Sequence, residues 1–184
     1  MAARALGALA AAALLAAPPL LPKYPLEILI SILFFAYLGL AWNILGGYAG
    51  QFSFGHAAFF VIGAYTSPLP LLHPGVSPWL GMLAGGALAA AFGLFEGYLS
   101  FRYGLRGPYF SLVTLAFAEM LRVVSVNAKA VGASLGLVVP TGTPAPLLFV
   151  FAGKLPYYYV ILAMTGLALL ITGAVARGRL GYAL

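Results

Sequence analysis

The chain has 184 residues, 64% of them hydrophobic and 7% charged, with a mean hydropathy of +1.06. Soluble domains are nearer half apolar and a quarter charged, so this composition excludes a soluble globular domain and points to a polytopic integral membrane protein. Nine Lys and Arg against three Asp and Glu leave a net charge of +6. The basic residues are too few and too scattered for a phosphate-binding face, so nucleic acid is not expected as a partner; they suit the setting of topology and contact with anionic membrane lipid. With no cysteine, disulfides and thiolate metal sites are excluded.

About 20 apolar residues span a bilayer, which leaves room for about six spans. The expected fold class is all-α, a single transmembrane helix-bundle domain over residues 1–184 with a Gly-rich break between the second and third helices. The first expected span, residues 5–21, is Ala/Leu-rich and follows Arg4. Leu6–Leu15 would also serve as the apolar centre of a signal peptide, but Pro18 directly after Ala16 and Ala17 spoils the cleavage site, and a membrane helix is the preferred reading. Pro22, Lys23, Tyr24 and Pro25 predict a turn. The second span, 26–45, carries Glu27 near its start, where an acid suits the helix dipole, and Trp42 and Asn43 near its end. A third span over 52–72 is closed by Pro68, Pro70, Pro74 and Pro78, with His73 in the loop.

The fourth span, 79–101, repeats small residues every four positions at Gly81, Gly85, Ala89, Gly93 and Gly97. Such a face lets another helix backbone approach closely, so Gly81, Gly85, Gly93 and Gly97 are assigned to helix packing. Glu96 is expected to pair with Arg102 or Arg106 at the membrane surface, a place inside a pathway being the weaker alternative. Pro108 suits the first turn of a fifth span, 108–126, which holds Ser111, Thr114, Glu119 and Arg122. Glu119 and Arg122 are three apart and can meet on one face, either as a self-neutralising pair near the membrane surface or as part of a functional site. Asn127–Leu155 is the longest polar connection, and its apolar stretch Leu147–Ala152 is too short to span.

The sixth span, 156–176, opens with Tyr157, Tyr158 and Tyr159, which read as an interfacial aromatic belt. An even number of spans puts both termini on one side, with Arg4, Arg102, Arg106, Arg177 and Arg179; the other side holds Lys23, Lys129 and Lys154, with Arg122 close to it. That excess places both ends in the cytoplasm.

Between the second and third spans, Gly46, Gly47, Tyr48, Ala49, Gly50, Gln51, Phe52 and Ser53 interrupt the helical pattern. In hydrocarbon a broken backbone is tolerated only where protein or a watery cavity satisfies its freed groups. Glycine supplies the unusual torsions, and Gln51 or Ser53 can cap the restarting helix. Asn43, Gln51, Ser53, His56 and Tyr65 gather polarity around the break. Two readings stay open: a discontinuous helix lining a translocation path, and a short Gly-rich turn between packed helices. On the first, the candidate path residues are Asn43, Tyr48, Gln51, Ser53, His56, Thr114 and Glu119. Ser53 and His56 are three apart, but no orienting acid accompanies them as a serine nucleophile would need. His56 and His73 lack the further ligands that a metal requires. Neither catalysis nor a metal is expected.

Two stretches carry a resemblance. GGYAGQFSFGHAAFFVIGAYT, residues 46–66, resembles the signature of the M-type permease subunit of branched-chain amino-acid ABC importers, and LRGPYFSLVTLAFAEMLRVV, from Leu105 to Val124, resembles the fifth-span region of the same family. The resemblance extends over Pro25–Leu184. It implies half of a membrane channel, completed by a second, related permease subunit, with two cytoplasmic ATPase subunits and an extracytoplasmic amino-acid-binding protein. ATP would be bound by those partners, leaving no cofactor in this chain, and the setting would be the inner (plasma) membrane. Leu, Ile and Val are the implied cargo; importers for urea, short amides or other amino acids are the alternative. Two stretches depart from the pattern. Val131–Leu137 reads VGASLGL where family members more often have a TGGxxGL-like run. ARGRLGYAL, residues 176–184, resembles the start of the cytoplasmic loop that bears the ATPase-coupling helix. The resemblance therefore implies a C-terminally truncated family member, which by itself would be a structural or non-functional fragment.

Overall fold

The computed structural model describes residues 12–68, 77–133, 136 and 149–178. Its elements are helical: α1 (Lys23–Asn43), α2 (His56–Thr66), α3 (Pro78–Arg102), α4 (Pro108–Asn127) and α5 (Leu155–Arg177). A π-helical turn, Ile44–Tyr48, continues α1, and 3-10 turns lie at Pro18–Leu20 and Lys129–Val131. Lys23–Tyr48, α3, α4 and α5 are each long and apolar enough to cross a membrane. Their outer surfaces fit that setting, with Leu83, Leu94 and Leu170 exposed by 72%, 75% and 73%. The protein is a polytopic helical membrane protein. Of the expected first span, residues 5–11 lie outside the described residues, as do 69–72 of the third span and His73; residues 12–16 are helical. Arg179–Leu184 and most of the Val131–Leu155 connection also lie outside them.

Two compact units make up the chain, one containing α1 and α5, the other α2, α3, α4 and the segment that leads into α2. In the first, Leu26, Leu33 and Tyr158 form the buried centre, packed by Leu29, Ile30, Leu155, Ile161 and Leu162. The expected turn at Pro22–Pro25 is instead the start of α1, because proline costs little in a first helical turn, where the missing N–H has no intrahelical partner. Glu27 lies beyond that first turn and forms an ion pair with Lys154. Tyr158 and Tyr159 do not form a simple headgroup belt. Tyr158 is fully buried and donates its hydroxyl to Leu14 O at 2.9 Å, and Tyr159 donates to Leu15 O at 3.2 Å. A phenol inside an apolar unit needs such a partner, and a backbone carbonyl before the Pro18 turn supplies it.

The second unit is held by α3. Ser77 caps this helix by accepting from Trp79 N, and Pro78 occupies the first turn, where its fixed φ suits helix initiation. Helices α2 and α3 run antiparallel, and their backbones meet at Gly85, where an added Cβ would lie 3.3 Å from Gly63 Cα. Further along, Phe59 packs on Phe92, with ring centroids 6.1 Å apart, and a Cβ at Gly93 would meet Phe59 at 3.2 Å. The four-residue stripe does not hold one face. A four-residue step overshoots a helical turn by about 40°, so by Gly97 the stripe has rotated about 160° away from Gly81. Gly81 and Gly85 are buried, whereas a Cβ at Gly97 would meet only Phe101 of the same helix, at 3.8 Å. The buried face passes instead to Glu96 and Ser100.

Gly85→Leu is expected to destabilise the α2–α3 pair by about 1–3 kcal/mol, because a side chain must be forced into a filled crossing. Gly86→Leu should leave stability unchanged, since a Cβ there meets nothing within 4 Å. Thermal unfolding of the two purified variants in detergent checks this; equal behaviour would show that the crossing is not close.

Candidate functional site

The segment between α1 and α2 is built from its glycines outward. A Cβ at Gly46 would meet the Trp42 ring at 2.7 Å, and one at Gly47 would collide with Asn43 Oδ1. These two glycines therefore remain helical and let Trp42 and Asn43 lie over the following turn. The turn widens to a π-helix, with Ala49 N donating to Ile44 O at 3.3 Å and Gln51 N to Leu45 O at 3.2 Å. Gly50, with φ +62°, then turns the chain out of the helix, a conformation that costs glycine little. The break itself is thus Ala49–Gly55, and α2 restarts at His56, four residues later than the third span expected from sequence.

Residues 52–55 have no helix of their own to pair their backbone, and α4 supplies the partners. Ser111 Oγ donates to Phe52 O at 2.5 Å, and Phe54 N donates to Thr114 Oγ1 at 3.1 Å. Ser53 Oγ accepts from Gly55 N at 3.2 Å, while Ser53 O accepts from Trp42 Nε1 at 3.1 Å. Gly55 sits so close to α4 that a Cβ would lie 2.7 Å from Thr114 O. Each of these bonds is worth about 1 kcal/mol net, but a buried group left unpaired costs about 1–3 kcal/mol.

Three helices meet at this level. The α2–α3 register sets Gly63 at Gly85 and Phe59 at Phe92. Phe117 of α4 packs on Phe92 and Phe95, and Phe110 stacks on Phe101, which places Thr114 at the same height. The buried polar residues of this unit collect here: Ser53, Glu96, Ser100, Ser111 and Thr114. Apolar surface outside and hydroxyls and a carboxyl inside is the reverse of a soluble domain.

Of the residues expected on the path, the structure gathers Ser53, His56 and Thr114. Gln51 stands at the break, its Oε1 buried without a partner. Asn43 is exposed and Tyr48 half-buried, both on the π-helical side of Gly50. Glu119 lies five residues beyond Thr114 on another face of α4, exposed and doubly bonded to Arg122 at 2.6 and 2.8 Å. Ser53 Oγ is occupied by a backbone N–H rather than by His56. Among the described residues no group of three His, Cys, Asp or Glu could hold a metal. Glu96 pairs with neither Arg102 nor Arg106; it is 4% exposed and its Oε1 has no partner. Sequence reasoning missed the Glu96–Ser100 pair as part of the site. The signal was present in their four-residue spacing one helical face away from Gly97.

The family described as branched-chain amino acid transport system / permease component matches residues 24–184. The chain belongs to this family. The family is a transport component and not an enzyme, in keeping with the resemblance carried by residues 46–66. Among curated relatives, the high-affinity branched-chain amino acid transport system permease protein LivM of Escherichia coli (strain K12) is 33% identical over 110 residues. The protein of the same name in Salmonella typhimurium (strain LT2) is 32% identical over the same length. These matches take in 60% of this permease-family chain and 25% of each relative, so the match spans about a quarter of the relatives' length. No solved structure matches the chain significantly.

Thr114→Val leaves Phe54 N without its acceptor and should lower stability by about 1–3 kcal/mol. Thr172→Val is the comparison: Thr172 Oγ1 is buried with no partner in the first unit, so its removal should not destabilise. Melting curves of both variants read the difference; an equal response would mean that the α4 hydroxyl does not hold the break.

Proposed function

We propose that the chain is a membrane-spanning permease subunit of an ATP-binding-cassette importer for the branched-chain amino acids Leu, Ile and Val, forming part of the translocation path. The observation that carries this reading is the break at Ala49–Gly55, whose freed backbone groups are met by Ser111 and Thr114 of α4 in a chain that belongs to the permease family. Free amino acids are zwitterions, and their passage needs compensating dipoles or water in place of bare hydrocarbon. The ends of an interrupted helix supply such dipoles. On this reading Gln51, Ser53, His56 and Thr114 line the route, with Asn43, Tyr48 and Glu119 at its polar margins.

The same reading supplies partners. A second permease subunit completes the channel, two cytoplasmic ATPases bind and hydrolyse ATP, and an extracytoplasmic binding protein delivers the amino acid. This chain holds no cofactor and forms one transmembrane domain in the inner membrane. The basic residues Arg102, Arg106 and Arg177 favour cytoplasmic termini.

In a strain lacking its own M-type permease, the protein expressed from its full reading frame, with these partners supplied, should restore ATP-dependent uptake of labelled leucine. Unlabelled isoleucine and valine should compete with it. Uptake that ignores both competitors, or no uptake at all with every subunit in the membrane, would sink the reading.

A further inference from the structure

Helix α4 carries a seam with a charged centre that its own unit leaves open. Leu112, Ala116, Glu119, Val123 and Val126 recur in steps of four and three, and all five are exposed. That alternation is the seam pattern of two helices packed side by side. The other side of α4 is taken up within its unit. There Ser111 and Thr114 bond the break, and Phe117 packs on Phe92 and Phe95 of α3. At its Pro108 end the seam runs into a cavity of about 420 Å³ lined by Phe52, Phe54, Gly107, Pro108, Ser111 and Leu112. Leu112 belongs to both, so a body lying along the seam would also fill the cavity.

Glu119 is the twelfth of the 20 residues of α4. A helix of that length is about 30 Å long, the thickness of the hydrocarbon layer, so Glu119 stands close to mid-membrane. Arg122 is one turn further on, and the side chains of Arg122 and Glu119 are 62% and 56% exposed. Charged side chains within a span almost always face protein or a water-filled cavity, not lipid. The rest of the seam is Leu, Ala and Val, so water there would meet an apolar wall on both sides of the pair. Protein is the cover that suits both parts. The pair is neutral as a whole and needs no counter-charge. Two of the five N–H donors of Arg122 go to Glu119, and three remain. The complementary surface is therefore a helix with apolar residues along its seam and an uncharged oxygen acceptor, from Ser, Thr, Asn or Gln, opposite Arg122. A single polar position in an apolar seam fixes the register of two helices, and in lipid such contacts help to hold them together.

We propose that the seam from Leu112 to Val126 packs against a transmembrane helix of the second permease subunit, one that sets an uncharged acceptor against Arg122. This rests on the import reading, which supplies that subunit. The same reading puts Glu119 at the margin of the route, where two halves of a channel meet.

The test uses the assembled importer in membranes, with this protein expressed from its full reading frame. The photoreactive residue p-benzoylphenylalanine is placed singly at Leu112, Val123 or Val126 on the seam. Val124 is the control, 55% exposed and about 100° around the helix from Val123. After irradiation, peptide masses should show adducts with a helix of the second permease, several-fold more from the seam than from Val124. Adducts only with lipid, with another copy of this chain or with another segment of it overturn the interface. Equal yields from Val124, or no adduct from the seam, do the same. Glu119→Leu together with Arg122→Leu should leave the melting of the isolated protein in detergent unchanged, because the two side chains bond to each other. The second permease recovered with that variant should fall several-fold; unchanged recovery overturns the interface. If the double variant fails to fold, the photo-adducts of the otherwise unsubstituted chain still decide. Leucine uptake with the seam covered by something other than the second permease keeps the import reading and removes the interface. A seam adduct with that subunit in an assembly that does not import leucine does the reverse.

Discussion

Everything in the second unit depends on pairing the backbone that the break sets free. A chain that leaves its helix inside a membrane has no water to turn to, and here the partners are two hydroxyls of α4. Ser111 meets Phe52 O and Thr114 meets Phe54 N. Those two bonds fix Gly55 against α4, and Gly55 fixes where α2 begins. Helix α2 then has one register on α3, set by the backbone contact of Gly63 with Gly85.

The two units solve the membrane packing problem differently. Lipid tails are as apolar as leucine, so burial of apolar surface does not drive helices together; close contact and hydrogen bonds must do so. In the first unit, Thr165 Oγ1 lies within hydrogen-bond reach of both Leu33 O, at 3.2 Å, and Ile161 O, at 2.8 Å, while Tyr158 fastens Leu14. In the second, glycine lets backbones touch and a run of phenylalanines, Phe59, Phe92, Phe117 and Phe95, fills the space between three helices edge to face. Such T-shaped contacts are favoured by the ring quadrupole.

Long apolar runs made four of the spans legible from sequence, to within a few residues at each end, because length and hydropathy alone mark a helix that can cross a bilayer. The break was legible as well, since glycine clusters punctuate helices. Its position was not. Gly46 and Gly47 read as breakers, yet they serve as space for Trp42 and Asn43 inside a widened helix, and only side-chain placement reveals that. Among the site residues, Ser53, His56 and Thr114 were named from type and spacing, and the structure brings them together. Glu96 was placed at the surface because Arg102 and Arg106 follow it closely in sequence. Helical rotation turns it inward instead, on the buried face that it shares with Ser100 one turn further on.

The bond between Glu119 and Arg122 has a consequence for how α4 moves. A charge carried across the membrane field exchanges work with the potential, roughly 2.3 kcal/mol per elementary charge per 100 mV. Glu119 and Arg122 are held to each other by two hydrogen bonds one turn apart on the same helix. They travel together as a neutral dipole, and they are the charged residues of α4. A displacement of this helix along the membrane normal is therefore electrically silent: the resting potential neither drives it nor opposes it, and the work of moving α4 comes from its contacts.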